Sequence, residues 1–125
     1  MRGNTRLFPI SNIHLNREKE WKYITVSAGD VLAKLERELS FLAETYGVAT
    51  IGIFGSVSRG EDTAESDVDI LVTFQPGKKN IRNYMGLAYY LEELFGRKVD
   101  LLTEAGISPY IRPHIEGELI RCKAI

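Results

Sequence analysis

The sequence predicts an α/β (α+β) domain, a small mixed β-sheet with helices packed against it. Apolar runs of strand length at 48–54, 67–74 and 98–103 alternate with stretches whose apolar residues recur every three or four positions. The resulting order, α-β-α-β-α-β-α, needs a sheet to receive the helices. A chain of 125 residues, 44% hydrophobic and 26% charged, is large enough for one domain with its own core.

The elements follow in chain order. Residues 1–28 read as an N-terminal extension that mixes Leu7, Phe8, Ile10, Trp21 and Tyr23 with the charged run Arg17-Glu18-Lys19-Glu20. The domain proper is expected over 29–125. Ser27 with Asp30 resembles a helix start, and Val31, Leu32, Leu35, Leu39, Leu42 and Tyr46 give the helix its apolar face. Gly47 ends it. Residues 48–54 form a buried strand, 56–59 a short helical turn, and 67–74 a second strand. Pro76-Gly77 marks a turn. Ile81, Tyr84, Met85, Ala88, Leu91 and Phe95 are expected as the buried stripe of a second long helix ending near Gly96. A third strand over 98–103 precedes a short helix after Ser108-Pro109, with proline in its first turn. Residues 119–122 form a terminal strand.

Composition narrows the function. A net charge of −1 supplies no general attraction to nucleic acid. The lone Cys122 excludes an intrachain disulfide and suits a reducing cytoplasm. No apolar run approaches membrane-spanning length, so no membrane partner is expected. His14 and His114 lack a Cys or His neighbour at zinc-ligand spacing and read as surface or packing residues. The tyrosines at 84, 89 and 90 read as core and helix surface, and Glu92 and Glu93 as a solvated helix face.

One segment carries chemistry. Gly55-Ser56 is followed, after ten residues, by Asp67-Val68-Asp69. Residues i and i+2 of a strand share a face roughly 6.6–6.8 Å apart. Two carboxylates at that distance repel by about 2–3 kcal/mol at an effective dielectric near 20. Magnesium reverses that repulsion, because it favours carboxylate oxygens and keeps positions open for substrate phosphates. Gly55 lets backbone approach a ligand closely, and Ser56 offers a hydroxyl beside unpaired N–H groups. Arg59 could add a charge-assisted contact to phosphate. Asp100, between Val99 and Leu101, should face the acid pair if its strand lies next to theirs. There it could hold a metal or accept a nucleophile's proton. Gly-Ser or Asp-x-Asp alone is common. Together, at about 5–7% usage per residue, the four positions should occur by chance in roughly one or two per thousand chains of this length.

These residues resemble the nucleotidyltransferase superfamily with the DNA polymerase β-like catalytic fold, and within it the minimal nucleotidyltransferases. The resemblance rests on Phe54-Gly55-Ser56-Val57-Ser58-Arg59-Gly60, on Ser66-Asp67-Val68-Asp69-Ile70-Leu71-Val72, on Val99-Asp100-Leu101-Leu102-Thr103, and on Tyr110-Ile111-Arg112-Pro113-His114-Ile115. It spans about Gly29 to Ile120. It implies the antitoxin half of a HEPN/minimal-nucleotidyltransferase pair, an enzyme that transfers AMP from ATP to a tyrosine of a partner HEPN-type ribonuclease toxin. The alternatives are an antitoxin that neutralises the toxin by binding without catalysis, and nucleotidyl transfer to a small molecule. It also implies nucleotide-binding roles for Gly55, Ser56, Arg59 and Ser66, one or two magnesium ions on Asp67, Asp69 and Asp100, and activation of the tyrosine hydroxyl by Asp100. Little sequence remains beyond the catalytic module, so the acceptor surface is expected to come from the partner.

Overall fold

The computed structural model describes residues 13–15 and 26–122, with side chains from residue 27 onward. Its elements are β1 (Ile13–Leu15), α1 (Val26–Tyr46), β2 (Val48–Phe54), α2 (Gly55–Arg59), β3 (Val68–Phe74), α3 (Ile81–Phe95), β4 (Val99–Thr103), α4 (Arg112–Glu118) and β5 (Ile120–Cys122). The five strands form one mixed sheet in the order β1-β5-β2-β3-β4. β3 and β4 are parallel, and the other neighbouring pairs are antiparallel. α3 is the crossover that a parallel pair requires. The expected N-terminal extension lies mostly outside the described residues, and its Ile13–Leu15 segment pairs with β5 at the sheet edge.

Alternation along β3 divides its side chains between two cores. Val68, Ile70 and Val72 pack with Leu32, Leu35, Leu87 and Leu91 beneath α1 and α3. Leu71 faces the other way, joining Phe54, Ile107, Ile115 and Leu119 beneath α4. Asp69 shares the Leu71 face, because side chains two apart in a strand point the same way. The acids therefore belong to the α4 side of the sheet.

Four local expectations are corrected. α1 begins at Val26, so Ser27 lies inside the helix. Its hydroxyl donates to Asp62 at 2.9 Å instead of capping the helix, and Asp30 pairs with Lys34. The proline in the first turn of α4 is Pro113, since the helix starts at Arg112 and not directly after Pro109. The buried face of α3 is carried by Leu87 and Leu91, with Tyr84, Ala88, Tyr90, Leu94 and Phe95 against the core. Ile81 and Met85 are exposed. Glu92 is half-buried and accepts the Val99 N–H at 3.3 Å, while Glu93 is exposed as expected.

Candidate active site

β2 runs out at Phe54, and the chain turns at Gly55, whose φ is +73°. A side chain there would be strained by the backbone alone. It would also collide, because a Cβ on Gly55 would stand 2.0 Å from Asp69 Oδ2. The glycine leaves the space that this carboxylate occupies. Phe54 lies opposite Asp69 in the antiparallel β2–β3 register, which sets the Gly-Ser corner beside the acid.

Asp69 is also opposite Asp100 in the parallel β3–β4 register. The strand adjacency on which the reading of Asp100 depended is present. Asp67 lies just before β3 and is exposed. Burial, then the charges of Asp100, Asp67 and Glu118, push the Asp69 carboxyl up to about 6 from 3.8, against an opposing pull from Arg59. An acid held so unfavourably as an anion is suited to receive a cation. Among the described residues, no three His, Cys, Asp or Glu side chains converge tightly enough to enclose an ion themselves. Magnesium needs no such cage, since it binds through one or two carboxylates, water and substrate phosphates. The oxygen-only donors and the mutual repulsion at Asp69 fit that mode, with Asp67, Asp69 and Asp100 as the carboxylates available.

Glu118, at the end of α4, is a residue that the sequence did not single out. Its Oε1 accepts the Gly55 N–H at 2.8 Å, and its Oε2 accepts Arg59 Nη1 at 2.6 Å. Arg59 also donates through Nε to Glu61 at 2.9 Å. The arginine expected at a phosphate is thus gathered by two glutamates at the corner. Ser58 donates to the Gly55 carbonyl at 3.0 Å and closes the turn.

A family model described as a nucleotidyltransferase domain matches residues 32–122, which contain every one of these groups. The chain belongs to the nucleotidyltransferase family. It is 42% identical over 88 residues to a protein of Methanocaldococcus jannaschii named as a protein adenylyltransferase, covering 69% of this chain and 88% of that protein. It is 39% identical over 79 residues to the protein adenylyltransferase MntA of Thermococcus cleftensis, covering 63% and 79% respectively. Among solved structures, a minimal nucleotidyltransferase superposes with a TM-score of 0.61 at 32% identity, over 72% of this chain and 91% of that one. A toxin–antitoxin crystal structure with AMP-PNP shares the fold, with a TM-score of 0.59 at 22% identity over 72% of this chain and 73% of that one.

The segment that carries Asp67 and Asp69 is held in place from behind. Arg97, directly after α3, donates to the Ser66 carbonyl at 2.8 and 3.2 Å and to the Thr63 carbonyl at 3.0 Å. The same guanidinium pairs with the nearly buried Asp62 at 3.1 Å. The Lys98 carbonyl accepts the Val68 N–H at 2.9 Å. Together they fix the loop that delivers Asp67 and Asp69. Ser66, expected near the nucleotide, accepts the Thr63 N–H on its hydroxyl at 2.9 Å within that loop. Two clefts of about 430 and 340 Å³ contain none of the three aspartates. They lie toward the far ends of β3 and β4, around Lys79 and Thr103.

Proposed function

We propose that this nucleotidyltransferase is a magnesium-dependent protein adenylyltransferase that moves AMP from ATP to a tyrosine hydroxyl of a HEPN-type ribonuclease toxin, and so acts as its antitoxin. The observation that carries the reading is the convergence of Asp69 and Asp100, in register, on a Gly55 corner that leaves room for a carboxylate. The relatives named as protein adenylyltransferases support the acceptor class, and the solved toxin–antitoxin complexes of the same fold support the kind of partner.

In this reading Asp67 and Asp69 hold the metal, which when bound neutralises phosphate charge and the charge that develops on the leaving pyrophosphate. The backbone at Gly55 and the Ser56 hydroxyl orient the triphosphate. Asp100 accepts the tyrosine proton as the phenolic oxygen bonds to the α-phosphorus. The bond from that phosphorus to pyrophosphate breaks, leaving AMP esterified to tyrosine. The chain works inside the cell, on a partner that brings its own tyrosine. No helix among the described residues is long and apolar enough to cross a membrane.

The test is a transfer assay with ATP labelled at the α-phosphate and a HEPN-type protein encoded beside this chain. Label should move to a tyrosine of that protein in a magnesium-dependent way. The combined Asp67→Asn and Asp69→Asn variant should transfer none. Transfer that survives the double substitution overturns the mechanism, and a double variant that still protects cells from the toxin shows neutralisation by binding alone.

A further inference from the structure

α3 has two apolar faces, and only one is used. Leu87 and Leu91 enter the core, and Gly86 lies against Tyr46 of α1. On the outer side Ile81, Met85 and Tyr89, spaced four apart, are 75%, 38% and 62% exposed. A continuous apolar stripe on the outside of a small domain marks a contact surface more often than chance exposure does. α3 covers the sheet face opposite the one that carries Asp69, so a partner seated here would leave the acids open.

The charges around the stripe identify the occupant. Arg82 stands at its N-terminal end and Glu93 at its C-terminal end, roughly 16 Å apart along the helix axis. Both are exposed, and among the described residues neither forms an ion pair. The outer line reads cation, methionine, tyrosine, anion. Turned end for end, the same line is its own complement. An antiparallel copy with its two-fold axis between Met85 and Tyr89 places each methionine on the other chain's tyrosine ring, a favourable sulfur–aromatic contact. It also places each Arg82 beside the other chain's Glu93. Such a self-complementary patch is what an isologous two-fold interface requires.

We propose that the outer face of α3 is a homodimer interface, in which two copies pair antiparallel through Met85 and Tyr89 with Arg82 of each chain meeting Glu93 of the other. One helix on each side buries little surface, toward the low end of specific interfaces at under about 1,200 Å². The dimer therefore forms reversibly, and the two acid sites face away from each other.

Sedimentation velocity across a concentration series tests this on the intact chain. The weight-average mass should rise from that of one chain toward that of two. The paired Met85→Ser and Tyr89→Ser variant should stay monomeric with its far-UV circular dichroism unchanged, since neither side chain enters the core. Charge exchange distinguishes this pairing from any other. Arg82→Glu alone and Glu93→Arg alone each place like charges opposite one another and should lose self-association. An equimolar mixture of the two should regain it, because each chain then supplies the sign that the other lacks. A wild-type chain that stays monomeric at all concentrations overturns the proposal. So does a dimer that survives the serine pair, or a mixture that stays as dissociated as its components. Should the wild-type chain remain monomeric while a helical partner protein protects Met85 from oxidation, the stripe belongs to that partner, and the homodimer is equally overturned.

Discussion

Glu118 and Gly55 lie 63 residues apart in sequence and are joined by a 2.8 Å hydrogen bond from the Gly55 N–H to Oε1 of the carboxylate. The other oxygen takes Arg59 at 2.6 Å, so one side chain ties α4 to both ends of α2. β5 follows α4 almost at once and pairs with β2, so the tie closes a loop between neighbouring strands.

Glu118→Ala should leave the Gly55 N–H without its acceptor and Arg59 with Glu61 alone. The expected loss is about 1–3 kcal/mol of stability, read by urea unfolding, together with a higher KM for ATP. Glu118→Gln keeps an oxygen for the Gly55 N–H and removes the charge beside Arg59, so it should lose less on both measures. An alanine variant that bound ATP more tightly than the parent would mean that the carboxylate shields the corner instead of supporting it.

Gly55→Ala tests the space that the acid occupies. A left-handed φ costs an alanine about 1–2 kcal/mol. Its methyl would also stand 2.0 Å from Asp69 Oδ2, so the carboxylate must move away. A displacement of that order costs about a hundredfold in rate. Nucleotidyl transfer should fall that far, while the circular dichroism spectrum stays that of the parent.

The strands and the acid site were legible because their signal is local. Apolar runs of strand length marked β2, β3 and β4 within a residue or so, and Asp-x-Asp beside Gly-Ser announced a carboxylate pair at a glycine turn. Asp100 was legible because one acid among apolar strand residues calls for a reason. Glu118 was not, since a glutamate on a short helix reads as solvated and its partner is remote in sequence. Arg97 was hidden in the same way, because its acceptors are backbone carbonyls that no side-chain pattern announces. On α3, the three- and four-residue spacing gave the helix correctly but merged its two apolar faces. Ile81 and Met85 are as hydrophobic as Leu87 and Leu91, and only packing against α1 and the sheet separates them.

Arg97→Ala should be among the more destabilising single substitutions available. It leaves Asp62, whose side chain is only 5% exposed, with the Ser27 hydroxyl as its remaining described partner. Breaking a buried ion pair from one side costs about 3–5 kcal/mol. Arg97→Lys restores the charge, but a single ammonium lacks the planar fork that reaches the Thr63 and Ser66 carbonyls together. Lysine should recover much of the stability in thermal unfolding and little of kcat/KM, since the loop ahead of Asp67 stays untethered.

Asp69 should make this chain's stability depend on pH in the sense opposite to an ordinary salt-bridged acid. Its folded-state pKa is raised to about 6 from 3.8, chiefly by burial and then by Asp100 and Asp67. Between these two values the folded chain binds the proton more strongly than the unfolded one. Asp69's contribution therefore favours folding at low pH and is lost as pH rises through about 6. Asp69→Asn removes that dependence and the repulsion with it. At pH 7.5, without metal, the asparagine variant should melt at a higher temperature than the parent, and its advantage should shrink as the pH is lowered toward 5. Magnesium should stabilise the parent at pH 7.5 and leave the variant nearly unmoved, because a cation relieves the parent's repulsion and finds one carboxylate fewer in the variant. The same substitution should abolish transfer. A variant that is more stable yet inactive would locate at Asp69 a cost in folding that the metal site requires.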